Sequence, residues 1–63
     1  MQFEIGQIIE DTRGGKSIII EKNELKVTYF MFFSPKDPEY LFRRFNESPS
    51  MMKSCYKLCE NGT

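Results

Sequence analysis

Sixty-three residues allow one domain and no more, because a chain of this size buries only about 60% of the surface that its unfolded form exposes. Nine basic and nine acidic residues cancel, which removes any whole-molecule pull toward nucleic acid or anionic membrane; six phenylalanines and three tyrosines argue against intrinsic disorder. Histidine, the commonest general acid or base, is absent, and so short a chain has little room to enclose a substrate pocket, so the expectation is that the protein is not an enzyme.

From the N-terminus, Phe3, Ile5, Ile8 and Ile9 predict a first strand near residues 2–9, with Phe3 and Ile5 alternating against Gln2 and Glu4. Met1 to Glu4 has neither the basic start nor the apolar stretch of a signal peptide, so the expected setting is intracellular. Asp11-Thr12-Arg13-Gly14-Gly15-Lys16 gathers turn residues, its glycines free to take positive φ. Ser17 to Glu21 reads as a second strand, and Lys22-Asn23-Glu24 as a tight turn in which Asn23 tolerates a left-handed backbone.

From Glu24 to Phe33, Leu25, Val27, Tyr29, Met31 and Phe33 fall on one face of a third strand. Phe30 and Phe32 make the second face apolar near its end. That face is either covered, the commoner outcome, or an exposed aromatic surface. No apolar run approaches the roughly 20 residues of a bilayer span, and no membrane partner is expected.

Pro35 and Pro38 break the strand. Beyond them, Asp37-Pro38-Glu39 has the form of a helix start, with Leu41, Phe42 and Phe45 on one helical face. Tyr40 to Phe45 reads equally as a fourth strand with Tyr40 and Phe42 inward. Ser48-Pro49 repeats the cap-and-proline signal ahead of Met51, Met52, Cys55, Tyr56 and Cys59, a helical stripe stopped by Asn61-Gly62, with a strand as the other option.

Four groups of residues bear on chemistry. Glu10-Asp11 is a carboxylate pair whose simplest reading is a solvated hairpin end, and Arg13-Gly14-Gly15-Lys16-Ser17 lacks the four-residue gap of a phosphate loop. Cys55 and Cys59, with three residues between them, can face one zinc ion from a turn or a helical face. Structural zinc takes four ligands, so this is an incomplete metal site, and two reduced thiols in a core stripe are the simpler reading. Arg43-Arg44 among Tyr40, Phe42 and Phe45 is the composition of a surface that contacts phosphates and stacks on bases, or of an arginine pair flanking a buried aromatic core.

Taken in order, Phe3, Arg13-Gly14-Gly15-Lys16-Ser17-Ile18-Ile19-Ile20, the aromatic stretch Val27 to Phe33, Tyr40-Leu41-Phe42-Arg43 and Ser54-Cys55-Tyr56-Lys57-Leu58 resemble the FLYWCH-type zinc-finger domain over nearly the whole chain. The chain departs from that pattern: tryptophan is absent, the first zinc cysteine is replaced within Leu41 to Arg44, and Thr63 is reached before any histidine. The resemblance is therefore to a degenerate or C-terminally truncated member, with Cys55 the one ligand that carries over, and it favours strand for Tyr40 to Phe45. It implies a nuclear module that contacts DNA or protein, with zinc as its cofactor if the site is completed.

The sequence thus predicts a mainly β domain over residues 1–63, an antiparallel sheet of three to four strands with a short C-terminal helix as an option and α+β as the alternative. The expected function is a binding module contacting DNA or protein through Arg13, Lys16, Arg43 and Arg44, with Cys55 and Cys59 as incomplete zinc ligands and no small-molecule substrate. The alternative is a metal-free, SH3-like interaction domain that docks an aromatic face around Phe30, Phe32 and Phe45.

Overall fold

The computed structural model describes residues 3–59. Strands β1 (Ile8–Asp11), β2 (Lys16–Lys22) and β3 (Val27–Phe33) form two successive hairpins. A single 3₁₀ turn at Pro38–Tyr40 leads to β4 (Arg44–Glu47), and helix α1 (Pro49–Cys55) hands the chain to β5 (Tyr56–Leu58). The fold is mainly β, with five antiparallel strands in the order β4-β3-β2-β1-β5 rather than three or four. No helix among the described residues is long and apolar enough to cross a membrane.

The first strand starts later than residues 2–9 because a bulge interrupts the approach to it. The Gly6 amide donates to the Ile19 carbonyl at 2.8 Å while the Ile19 amide donates to the Gln7 carbonyl at 3.0 Å. Two residues thus face one, and the first of them, Gly6, has φ 94°. This is the bulge whose first position is left-handed and normally glycine. Phe3, displaced from the sheet, is buried from an irregular segment instead.

The turn after β1 forms where expected, with the Asp11 carboxylate accepting from the Arg13 and Gly15 amides at 2.9 and 2.8 Å and Gly14 at positive φ. The next turn uses Asn23 differently from expectation. Its side-chain oxygen accepts from the Leu25 and Lys26 amides at 2.8 and 2.9 Å, so the side chain, not a left-handed backbone, closes the hairpin. Leu25 consequently lies before β3, and is 83% exposed rather than on its inner face.

Tyr29 on β3 and Tyr56 on β5 are three strand spacings apart in the sheet order, about 14 Å if the sheet were flat. Their ring centroids are 5.0 Å apart and their hydroxyls 2.6 Å. The sheet is therefore rolled, with its concave face around Phe3, Ile9, Ile19, Val27, Tyr29 and Met52, backed by Phe45, Tyr56 and Leu58.

The segment after β3 combines both sequence options: the Asp37-Pro38-Glu39 start yields one 3₁₀ turn, and a fourth strand follows. Its inward residue is Phe45; Tyr40 and Phe42 are both exposed, contrary to the expectation that they point inward. Helix α1 is capped by Ser48, whose hydroxyl accepts from the Met51 amide at 3.3 Å, and Pro49 occupies its first turn.

The expected five-residue stripe is cut short because Tyr56, Lys57 and Leu58 pair with Asp11, Glu10 and Ile9 of β1. Of the helix residues only Met52 is buried, and neither thiol joins the core: Cys55 is exposed and Cys59 half-buried. Asn61-Gly62 lies outside the described residues.

Candidate functional site

The convex face of the sheet carries the first candidate. Strand register aligns Ile8, Ile18, Phe30 and Arg44 in one row across β1 to β4, and side-chain alternation puts this row opposite the buried one. Phe30 is half-buried and Phe32 exposed, so the second aromatic face of β3 is a surface and not a covered layer. The Phe42 ring, 66% exposed, lies near-parallel to that of Phe30, with centroids 6.2 Å apart.

Phe42 reaches this position through a second bulge. Its amide donates to the Met31 carbonyl at 2.6 Å and the Met31 amide donates to the Arg43 carbonyl at 3.0 Å. This repeats the pattern of Gly6, Gln7 and Ile19, with phenylalanine at φ 63° in the glycine position.

The four cations expected to make contacts all lie where the β1–β2 turn and the β3–β4 connection meet. Lys16 sits opposite Glu10 and Phe33 in the ladder, Arg44 opposite Phe30, and Arg43 is exposed beside Phe42. Arg13 is already engaged: its Nε and Nη2 donate to the two Asp37 carboxylate oxygens at 2.5 and 3.0 Å. It clamps the 3₁₀ turn onto the hairpin rather than standing free for a ligand.

Cys55 and Cys59 are not brought together. β5 stretches between them and stays in ladder contact through the Cys59 amide, which donates to the Ile8 carbonyl at 2.9 Å. Four residues of extended chain span about 13 Å, whereas two thiolates on one zinc lie within about 4.6 Å of each other. Among the described residues no three His, Cys, Asp or Glu side chains gather where they could hold a metal ion.

The second candidate is a cavity of about 130 Å³ on the concave side, lined by Tyr29, Tyr40, Phe45 and Tyr56 together with Met31, Asp11 and the Arg13–Asp37 pair. Tyr29 and Phe45 are cross-strand partners with near-parallel rings, 26° apart in plane. Tyr40 stands at 89° to Phe45, and Tyr56 at 61° to Tyr29. Burial pushes both Tyr29 and Tyr56 above the usual phenol range; their shared hydrogen bond raises Tyr29 further and pulls Tyr56 back. Reading strands one at a time misses this site, since it joins β1, β3, β4 and β5 only once the sheet has rolled.

Fold and sites define a small rolled antiparallel sheet with an aromatic convex face and an aromatic cavity at one end. No protein-family model, curated protein or solved structure matches the chain.

Proposed function

We propose that the chain is a non-catalytic binding module that docks another protein on its convex face, through Phe42, Phe30 and Phe32 with Arg43 and Arg44 at the rim. The observation that supports this reading is the backbone at Phe42. A left-handed conformation costs a residue with a Cβ about 1–2 kcal/mol, and the same bulge beside β1 avoids that cost with Gly6. Stability favours glycine at position 42. Strain kept at an exposed ring beside arginine is what a contact surface requires.

Charge favours a protein over DNA as the partner. Affinity for DNA rests on several unopposed cations against phosphates, but Arg13 is bound to Asp37, and the row that crosses the convex face, Ile8, Ile18, Phe30 and Arg44, holds one cation. Aromatic side chains beside arginine are the residues enriched at protein interfaces.

Two measurements test this. On stability, Phe42→Gly is expected to exceed Phe42→Ala by about 1 kcal/mol, inverting the usual order, with a melting difference of about 4–8 °C. On binding, peptides selected from a display library on the wild type should lose at least about tenfold in affinity, or about 1.4 kcal/mol, on Phe42→Gly and on Arg44→Glu. They should bind Leu25→Ala, altered at the far turn, unchanged. Peptides that hold Phe42→Gly as tightly as wild type would overturn the reading. So would steeply salt-dependent oligonucleotide binding in the absence of peptide binding, which would make DNA the partner.

A further inference from the structure

We propose that the concave aromatic cavity binds a methylated ammonium group, independently of the convex face. Its volume of about 130 Å³ is close to the roughly 150 Å³ that accommodates one benzene, and so suits a trimethylammonium head rather than a whole ligand. Rings in three orientations border this one space: the near-parallel pair Tyr29 and Phe45, Tyr40 perpendicular to Phe45, and Tyr56 steeply inclined to Tyr29. Ring faces carry negative partial charge, and a cation held against several of them at once is the arrangement that quaternary ammonium recognition uses.

Charge decides between a methylated and a bare ammonium. The ionised residues lining the cavity are Asp11, Asp37, Arg13 and Lys36, which cancel. Arg13 is spent on Asp37, and the Asp11 carboxylate is held by the Arg13 and Gly15 amides. One carboxylate set against Lys36 leaves too weak a field to strip the water from a strongly hydrated ammonium such as that of lysine. Methyl groups remove most of that hydration and give the rings apolar surface to cover. A neutral guest of the same shape gains nothing from the negative ring faces or from the Asp11 charge.

One wall of the cavity is held by an ion pair. Tyr40 is exposed on its outer side and sits on the 3₁₀ turn Pro38–Tyr40, whose preceding residue is Asp37. The Arg13–Asp37 pair fixes that turn against the β1–β2 hairpin. Arg13, expected from sequence to touch the ligand itself, is a positioning residue here: it holds Tyr40 over the cavity.

The experiment is an NMR titration of the intact chain with tetramethylammonium chloride, with sodium chloride as the ionic control and tert-butanol as the neutral isostere. Saturable shifts should be confined to Tyr29, Tyr40, Phe45 and Tyr56, and tetramethylammonium should bind at least about tenfold more tightly than tert-butanol. Tyr40→Ala should weaken it about tenfold, and Tyr40→Phe should restore it. Asp11→Asn keeps an acceptor for the turn amides and should weaken binding without unfolding the chain, as should Arg13→Ala.

A second arm compares a trimethyllysine peptide, its unmodified lysine form and free choline. Tighter binding of the modified peptide assigns the group to a methylated protein chain, and tighter binding of choline to a free small molecule. Equal response to tert-butanol, shifts that sodium chloride reproduces, a bare lysine peptide that binds as well as the modified one, or a Tyr40→Ala variant that binds as wild type would each overturn the proposal.

Discussion

Replacing Met52 by alanine is expected to destabilise the chain by about 2–5 kcal/mol, out of a total of roughly 3–9 kcal/mol for a domain of this length. Met52 is fully buried, and it is the one buried residue of α1. A seven-residue helix has no independent stability, because helix nucleation costs more than so few hydrogen bonds return. Docking of the Met52 side chain therefore holds α1 in place, and α1 in turn delivers β5 to the free edge of β1. With the anchor shortened, protection from hydrogen exchange should fall first at the Cys59 amide and along the β1–β5 ladder, while the β2–β3 hairpin keeps protection relative to them. A loss of less than about 1 kcal/mol, or uniform loss of protection across the sheet, would show that α1 is held by something other than this contact.

The parts of the fold that were legible in the sequence are those in which local pattern and tertiary structure agree. Val27, Tyr29 and Met31 alternate and are buried on one face, and Asp11 to Lys16 carries its turn chemistry within six residues. The misread parts are those in which a distant partner decides. Tyr56 to Leu58 continue an apolar spacing that suits a helix, but the empty edge of β1 offers ladder hydrogen bonds and a place for Tyr56 against Tyr29, and the backbone turns to strand.

Alternation from Tyr40 predicts an inward Phe42. The bulge at Phe42 and Arg43 breaks that count by one residue and turns the ring to the convex face. The bulge at Gly6 has a signal in the glycine itself; the one at Phe42 has none. The candidate sites follow the same division. The Arg43-Arg44 run among aromatics was visible as composition, whereas the cavity depends on four strands meeting and on an Arg13–Asp37 pair 24 positions apart in the chain.

Above pH about 10 the chain is expected to lose stability at about 1.4 kcal/mol per pH unit, through the tyrosine pair at the floor of the cavity. Tyr29 is 2% exposed, and its hydroxyl lies 2.6 Å from that of Tyr56. Burial disfavours both phenolates, and the shared hydrogen bond raises Tyr29 further while it pulls Tyr56 back. Unfolding frees both groups to ionise near pH 10.

The folded state thus keeps Tyr29's proton, and over part of the range Tyr56's as well, where the unfolded chain gives both up. A pKa raised by folding gives stability that is whole below the unfolded value and declines as pH climbs beyond it. By pH about 11.5 the loss is about 2 kcal/mol, enough to bring a domain of this size close to its unfolding midpoint. Tyr29→Phe removes the Tyr29 proton and the hydrogen bond together. The variant should start about 1 kcal/mol below wild type at neutral pH and decline more slowly, because only Tyr56, still raised by burial, is left to keep a proton that the unfolded chain gives up. Denaturant unfolding followed across this range, with tyrosinate absorbance of the folded protein read alongside, distinguishes the outcomes. Parallel curves for the two proteins would mean that Tyr29 ionises in the folded state as readily as in the unfolded chain, and that the floor of the cavity is open to water.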